Sequence, residues 1–188
     1  MIYIISGTNR PNSNSLKLAN IVEKKFSESN VNAEIIDLQN MPLSELTGNE
    51  YSENKPAWLN EQVQKINNSD GLYLIVPEYN GSMPGALKLF IDHLDYPIAF
   101  QYRPVCFIGL GGLFGGLRPV EHCMQVFSYR NAFIYPDRVF FMNVWTSLKE
   151  GKIENELEAN LLKSQILGFS HFVKVLKTNG LHSLTKDK

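Results

Sequence analysis

The chain has 188 residues, of which 44% are hydrophobic and 20% are charged, and its formal net charge is −1. This length and composition predict a single globular domain over residues 1–188, with a core of ordinary size. The nearly balanced charge, without a basic block, argues against nucleic acid or an anionic membrane as a partner.

Apolar runs alternate along the chain with patterns of helical spacing. Runs rich in β-branched and aromatic residues predict strands at 1–5, 31–38, 71–77, 104–110 and 138–145. Apolar stripes predict helices at about 15–29, 57–68, 84–94, 116–131 and 154–177. Residues 39–56 show no clear period and are interpreted as a long connection.

The alternation of these elements predicts an α/β fold. A parallel sheet would carry helices on both faces, joined by right-handed crossovers. With five strands the expected order is 2-1-3-4-5, and ligands of such a sheet bind beyond the carboxyl ends of its strands. Three loops with unusual compositions, 6–15, 77–85 and 109–118, fall at those ends.

The first loop joins a buried strand to a helix and is rich in hydroxyl and amide side chains. Unpaired amides in the first turn of a helix favour an anion, and hydroxyl groups can donate to its oxygens. With a single glycine, the loop matches neither the nucleotide-hydrolase motif nor the dinucleotide fingerprint. It predicts a site for a mononucleotide phosphate, and simple helix capping is the alternative. The candidate residues are Thr8, Arg10, Ser13, Asn14 and Ser15.

The second and third loops offer exposed backbone. Two prolines and two glycines make the second loop rigid, which suits a flat aromatic ligand, and glycines 111, 112, 115 and 116 of the third loop allow close approach. As an alternative, the second loop is an ordinary strand-to-helix turn. The candidate residues are Pro77, Glu78, Tyr79, Asn80, Gly81 and Ser82 in the second loop, and Gly111, Gly112, Gly115 and Gly116 in the third.

Three motifs, one in each loop, carry a resemblance to a known family. They are Gly7-Thr8-x-Arg10-x-x-Ser13-x-Ser15, then Pro77-Glu-Tyr-Asn80 followed by Pro84-Gly-x-Leu-Lys88, and Gly115-Gly-x-Arg118. Together they resemble the NADPH-dependent FMN reductases, flavodoxin-like proteins that include quinone, azo and chromate reductases. Ser15 stands where that family usually has Asn, and Thr8 stands where it has Ser, so both positions keep a donor.

The resemblance implies a flavodoxin-like three-layer sandwich that binds FMN. The first loop would hold the phosphate, residues 77–82 would line the isoalloxazine and ribityl groups, and residues 111–116 would flank the ring. FMN would take hydride from NADPH or NADH and reduce a quinone, an azo compound, a flavin or a similar small-molecule acceptor. A flavodoxin-type electron carrier and an FMN-binding redox sensor are the alternatives. Such carriers are commonly acidic and lack Arg in the phosphate loop, so Arg10 favours the enzyme.

No side chain is predicted to be catalytic or to bind a metal. The four histidines, His93, His122, His171 and His182, lack the spacing of a metal site or a triad and are predicted to lie on the surface. The two cysteines occur in apolar runs, which is typical of buried thiols in a reducing compartment. The first apolar run is too short for a signal peptide or a membrane span, so we expect a cytoplasmic protein.

Residues 95–102 predict self-association. They follow the third helix and include four large apolar side chains in a loop near the expected flavin site, which a single chain has little reason to expose. The family resemblance also implies pairing in this region. We therefore expect a homodimer, with a tetramer as the alternative. The four side chains are Tyr96, Ile98, Phe100 and Tyr102.

Overall fold

A computed structural model describes residues 1–48, 51, 54–149 and 151–185. Its main sheet is parallel throughout, in the order β2-β1-β3-β4-β5, which confirms the predicted topology. The strands are Ile2–Ser6 (β1), Ala33–Asp37 (β2), Gly71–Pro77 (β3), Pro104–Leu110 (β4) and Phe133–Phe141 (β5).

Helices cover both faces of this sheet, giving the predicted three layers. Asn14–Glu28 (α1) and Glu156–Thr178 (α6) pack on one face. Ala57–Asn67 (α2), Gly85–Asp92 (α3) and Leu117–Tyr129 (α4) pack on the other. The helical turn Val144–Ser147 (α5) and a hairpin of Leu148–Lys149 (β6) with Lys152–Ile153 (β7) connect β5 to α6.

The central strands are buried on both sides, as their continuous apolar runs predicted. Every residue of β1, β3 and β4 is buried. Successive residues alternate between the two layers, so that Ile4 packs with α1 and α6 while Ile5 packs with α2 and α3. Because these strands are parallel, the loops that follow their carboxyl ends lie at one edge of the buried sheet.

The predicted position of the last strand is wrong. It was expected at 138–145, but β5 runs from Phe133 to Phe141, and residues 144–147 form α5. Since β5 is an edge strand, it tolerates the exposed segment 136–138, including a proline, in its middle. Because these residues interrupt the apolar run, the sequence pattern did not predict the first half of the strand.

The predicted connection at 39–56 contains short 3-10 turns at Leu38–Asn40 and Leu43–Glu45. Residues 49, 50, 52 and 53 of this connection lie outside the described residues. Among the residues that the structure describes, no helix combines the length and apolar character needed to cross a membrane.

Three side chains predicted to be exposed are buried. His93 lies beneath Tyr51, whose ring stacks on it at 4.2 Å, and His182 is enclosed near the amino-terminal edge of the sheet. Phe100 packs against Phe127 with ring centroids 5.5 Å apart. The surface prediction is therefore wrong for these two histidines, and Phe100 belongs to the core.

Candidate functional site

A cavity of about 530 Å³ lies at the carboxyl ends of β1, β3 and β4. Its volume falls in the range of about 300–1,000 Å³ that is usual for small-molecule sites. The three loops singled out from the sequence meet there. The predicted residues that line the cavity are Thr8, Arg10, Ser13, Asn14, Ser15, Pro77, Glu78, Tyr79, Gly111 and Gly112.

The first loop presents the amino terminus of α1 to this cavity. Ser13 caps the helix, and its hydroxyl accepts a hydrogen bond from the Leu16 amide at 3.1 Å. Ser13 therefore does cap the helix, while its own hydroxyl proton remains available to a ligand, so its contact with a phosphate stays a prediction. No acidic side chain occupies the first turn of α1, so the helix dipole favours an anion there. Arg10, exposed at the same edge, adds a positive charge.

The environment of the Ser15 hydroxyl indicates whether this loop fits a phosphate. It is buried at the cavity and has no hydrogen-bond partner among the described residues. Leaving a buried polar group unpaired costs about 1–3 kcal/mol, which an oxygen of a bound ligand would offset. The hydroxyl, the helix terminus and Arg10 together fit the phosphate of a mononucleotide.

The second loop turns back on itself just outside the cavity. The Tyr79 amide donates to the Ser82 carbonyl at 2.9 Å, and the Ser82 amide donates to the Tyr79 carbonyl at 3.1 Å. Asn80 and Gly81 have φ angles of 52° and 76°, in the left-handed region that Asn-Gly hairpin turns require. Asn80, Gly81 and Ser82 therefore do not line the cavity, and their contact with a flavin stays a prediction.

A histidine on α4 contacts this turn. The Ser82 Oγ atom lies 2.8 Å from Nδ1 of His122, so the turn is tied to α4 as well as to the sheet. Pro77, Glu78 and Tyr79, just before this turn, do line the cavity.

The third loop folds tightly against the end of β4. A Cβ atom added to Gly109 would lie 2.6 Å from the Gly115 carbonyl oxygen, and one added to Gly116 would lie 2.6 Å from the Leu110 nitrogen. These glycines allow two backbone segments to touch. Gly115 and Gly116 face the strand rather than the cavity, so their role towards FMN also stays a prediction.

Gly111 and Gly112 leave backbone open to the cavity. A Cβ atom added to Gly111 would lie 3.3 Å from Cβ of Glu78, so a side chain there would crowd the second loop. The two loops thus form a narrow cleft bounded partly by bare backbone, which suits a flat ring.

The sequence did not identify five residues that also line the cavity. Trp145 is the largest, and it was assigned to a strand that ends four residues earlier. A tryptophan just beyond the carboxyl end of the last strand was the available signal, because ligands bind at that edge. The five are Pro11, Asn12, Leu110, Val144 and Trp145.

Both cysteines lie in the core and away from this cavity. Burial raises the pKa of the Cys106 thiol well above its usual value and raises the pKa of Cys123 to about 12. Both therefore stay protonated near neutral pH, and a protonated thiol is a poor nucleophile. Within the described part of the chain, no group of three or more His, Cys, Asp or Glu side chains is arranged to hold a metal.

Comparisons with known proteins identify the family of this chain. The model of the family described as NADPH-dependent FMN reductase matches residues 1–147. An FMN-dependent NADPH-azoreductase of Staphylococcus aureus is 29% identical over 178 residues, covering 88% of this chain and 93% of the relative.

Solved structures share the fold at lower identity. The FerB flavoenzyme NAD(P)H:(acceptor) oxidoreductase from Paracoccus denitrificans superposes with a TM-score of 0.75 at 19% identity, covering 92% of this chain and 96% of that one. An NADH:FMN oxidoreductase gives 0.72 at 21% identity, covering 93% and 88%. A flavodoxin from the Archaea gives 0.61 at 11%, covering 93% and 99%, so the flavodoxin-like fold is confirmed.

Proposed function

Because the chain belongs to the NADPH-dependent FMN reductase family, we propose that this FMN-dependent NAD(P)H oxidoreductase reduces a small-molecule acceptor of the quinone, azo or flavin class. The observation that carries the proposal is the cavity at the carboxyl edge of the sheet, with the unpaired Ser15 hydroxyl at the start of α1. The azoreductase relative supports an azo compound as one acceptor.

The first loop would hold the FMN phosphate. Ser15 and Ser13 have hydroxyl protons to donate, and Arg10 supplies a full positive charge at the same terminus. Charge-assisted hydrogen bonds to a phosphate are about twice as strong as neutral ones. Ser13, Ser15 and Arg10 would therefore hold the phosphate group of FMN at the β1 end of the cavity.

The cleft between the second and third loops would hold the isoalloxazine ring. Pro77 and Glu78 would form one side, and Gly111 and Gly112 would form another, while the phenol of Tyr79 reaches back to Thr8 in the first loop. When bound, FMN would supply the redox chemistry, passing electrons from a reduced nicotinamide to the acceptor. The chain's own contribution would be to orient the ring in this cleft towards the nicotinamide, since proximity supplies much of the rate.

Steady-state turnover tests this proposal. Protein reconstituted with FMN is mixed with NADPH or NADH, and with a quinone, an azo dye or free FMN as acceptor. Sustained nicotinamide oxidation with at least one acceptor supports the enzyme. An FMN-loaded protein that oxidises no nicotinamide with any of these acceptors would instead be a carrier or a sensor.

We also propose that the chain forms a homodimer through the surface between α3 and α4. Tyr96, Ile98 and Tyr129 are exposed there, and the Arg130 guanidinium lies 4.6 Å from the centre of the Tyr96 ring and 5.3 Å from that of Tyr129. Exposed aromatic side chains with an arginine are typical of interfaces. Light scattering at micromolar concentration should give twice the chain mass. A Tyr129→Glu variant should shift the mass towards the monomer, and a monomeric parent protein would contradict the proposal.

A further inference from the structure

Trp145 stands at the wall of the cavity although most of its surface is exposed. The indole is 62% exposed. A Cβ atom added to Gly112 would lie 3.3 Å from Cη2 of Trp145, so the tip of the indole rests against the bare backbone of the third loop. The indole ring thus lies at the end of the cavity where the second and third loops form the cleft.

Backbone hydrogen bonds hold the segment that carries Trp145. The Asn143 amide donates to the Gly112 carbonyl at 2.9 Å, and the Val144 amide donates to the Gly111 carbonyl at 3.1 Å. Val144 is buried in the core on the α1 and α6 side, and the Ser147 hydroxyl donates to the Met142 carbonyl at 2.9 Å. Because both ends of α5 are anchored, the backbone at Trp145 is fixed relative to the cleft.

Other exposed apolar side chains belong to the same two segments as this contact. Leu113 and Phe114 follow Gly112 in the third loop, and Met142 precedes α5 and reaches the third loop at Gly115. A tryptophan left in water forgoes the stabilisation that its large apolar surface gains when it is covered. An indole in this position at the mouth of a cavity is therefore suited to contact a ligand.

We propose that Trp145 is a cofactor-binding residue whose indole packs against the isoalloxazine ring of bound FMN. This inference rests on the proposed function. The phosphate loop fixes one end of the cofactor, and Trp145 adjoins the other end, where the bare backbone of Gly111 and Gly112 suits a flat ring. An aromatic wall there adds affinity and shields the ring from water.

Radical footprinting tests the contact without altering the protein. The chain has two tryptophans, and Trp58 packs near Phe90 on the opposite face of the sheet, so it serves as the internal reference. Saturating FMN should slow the oxidation of Trp145 and leave that of Trp58 unchanged, whereas inorganic phosphate should protect neither. Equal oxidation of Trp145 with and without bound FMN would overturn the inference.

Flavin emission supplies a second readout. An indole in contact with an excited flavin quenches it by electron transfer, and a phenyl ring does not. FMN bound to Trp145→Phe should therefore emit more strongly than FMN bound to the parent protein, and the matched control Trp58→Phe should stay as dark as the parent. Trp145→Leu should weaken FMN binding about twofold to tenfold, the worth of an aromatic pair.

These outcomes distinguish a failure of the Trp145 contact from a failure of FMN binding. If equilibrium dialysis shows that the parent protein does not bind FMN, both the proposed function and this inference fail. If FMN binds, but Trp145 stays unprotected and Trp145→Phe emits no more than the parent, the inference alone fails.

Discussion

The hydroxyl of Thr8 donates a hydrogen bond of 2.9 Å to the phenol oxygen of Tyr79, joining two loops that are 71 residues apart in sequence. Thr8 Oγ1 also accepts from the Arg10 amide at 3.3 Å. Since one hydroxyl proton fills the bond between the two side chains, the pair keeps a second proton for an acceptor in the cavity. Tyr79, a side chain of the second loop, thus adds a hydrogen-bond donor to those of the first loop.

Tyr79→Phe removes that donor and retains the ring. We expect FMN affinity to fall about threefold to tenfold, the worth of one hydrogen bond. Riboflavin has no phosphate and should bind the variant and the parent alike, if the donor acts on the phosphate. Titration of both flavins by equilibrium dialysis checks this expectation. An equal loss for the two flavins would place the phenol against another part of the cofactor.

Arg10→Ala should release FMN without disturbing the fold. Arg10 is exposed, so no packing is lost, and the missing charge-assisted hydrogen bond costs about 1.5–3 kcal/mol, or roughly 10- to 100-fold in affinity. Lys24→Ala removes an exposed charge from the outer part of α1 and is the matched control. Circular dichroism should be the same for both variants. Unchanged FMN affinity in Arg10→Ala would contradict the phosphate assignment.

Burial explains which elements the sequence could predict. The bounds of β3 and β4 agree with prediction because both strands are covered on both faces and give unbroken apolar runs. The edge strand β5 shows no such run, so its start was missed and Trp145 was placed within it. The Asn80-Gly81 pair is a known turn signal, but composition alone did not show that these two residues would not line the cavity.

The buried polar groups of the amino-terminal edge could not be predicted either. Arg103 is fully buried, and its guanidinium donates to the backbone carbonyls of Ser69, Asn67 and Ile98. Ser69 and Asn67 are 34 and 36 residues away in sequence, and all three partners are backbone atoms, so no side-chain pattern predicts these contacts. Burial lowers the pKa of Arg103 to about 10, yet the group remains charged at neutral pH.

The geometry of His182 predicts a loss of stability in mild acid. Nε2 donates to the Asp70 carbonyl at 2.7 Å and Nδ1 accepts from the Leu184 amide at 3.0 Å, an arrangement that only the neutral ring satisfies. Burial lowers the pKa of His182 below its ordinary value of 6.5, and the nearby charges of Arg103 and Lys177 lower it further, while Asp70 opposes them.

The sign of the effect follows from this depressed pKa. The free energy of unfolding keeps its full value above about pH 6.5, the pKa of His182 in the unfolded chain. It decreases as the pH falls from there towards the pKa in the folded state, because the unfolded chain binds the proton first. Urea unfolding at about pH 7.5 and 5.5 should show a larger drop in the free energy of unfolding for the parent than for His182→Gln. Equal drops would show that protonation of His182 does not cause the loss of stability in acid.

Replacement of both cysteines should leave flavin reduction intact. Cys106 and Cys123 are buried thiols with raised pKa values, and neither lines the cavity. In the Cys106→Ala/Cys123→Ala variant, the rate of flavin bleaching by NADPH in stopped flow should stay within about threefold, under 1 kcal/mol of barrier. A loss of about a hundredfold in folded, FMN-loaded protein would mean that a thiol carries electrons.

The absorption spectrum of the purified protein, recorded without oxygen, tests the central claim most directly. After reconstitution and desalting, we expect flavin bands at about one FMN per chain, bleaching on addition of NADPH or NADH, and recovery on addition of a quinone. Arg10→Ala should lose the bands during desalting. Failure of the parent protein to retain FMN, or retained FMN that neither nicotinamide bleaches, would contradict the assignment of this cavity as the site of an FMN-dependent reductase.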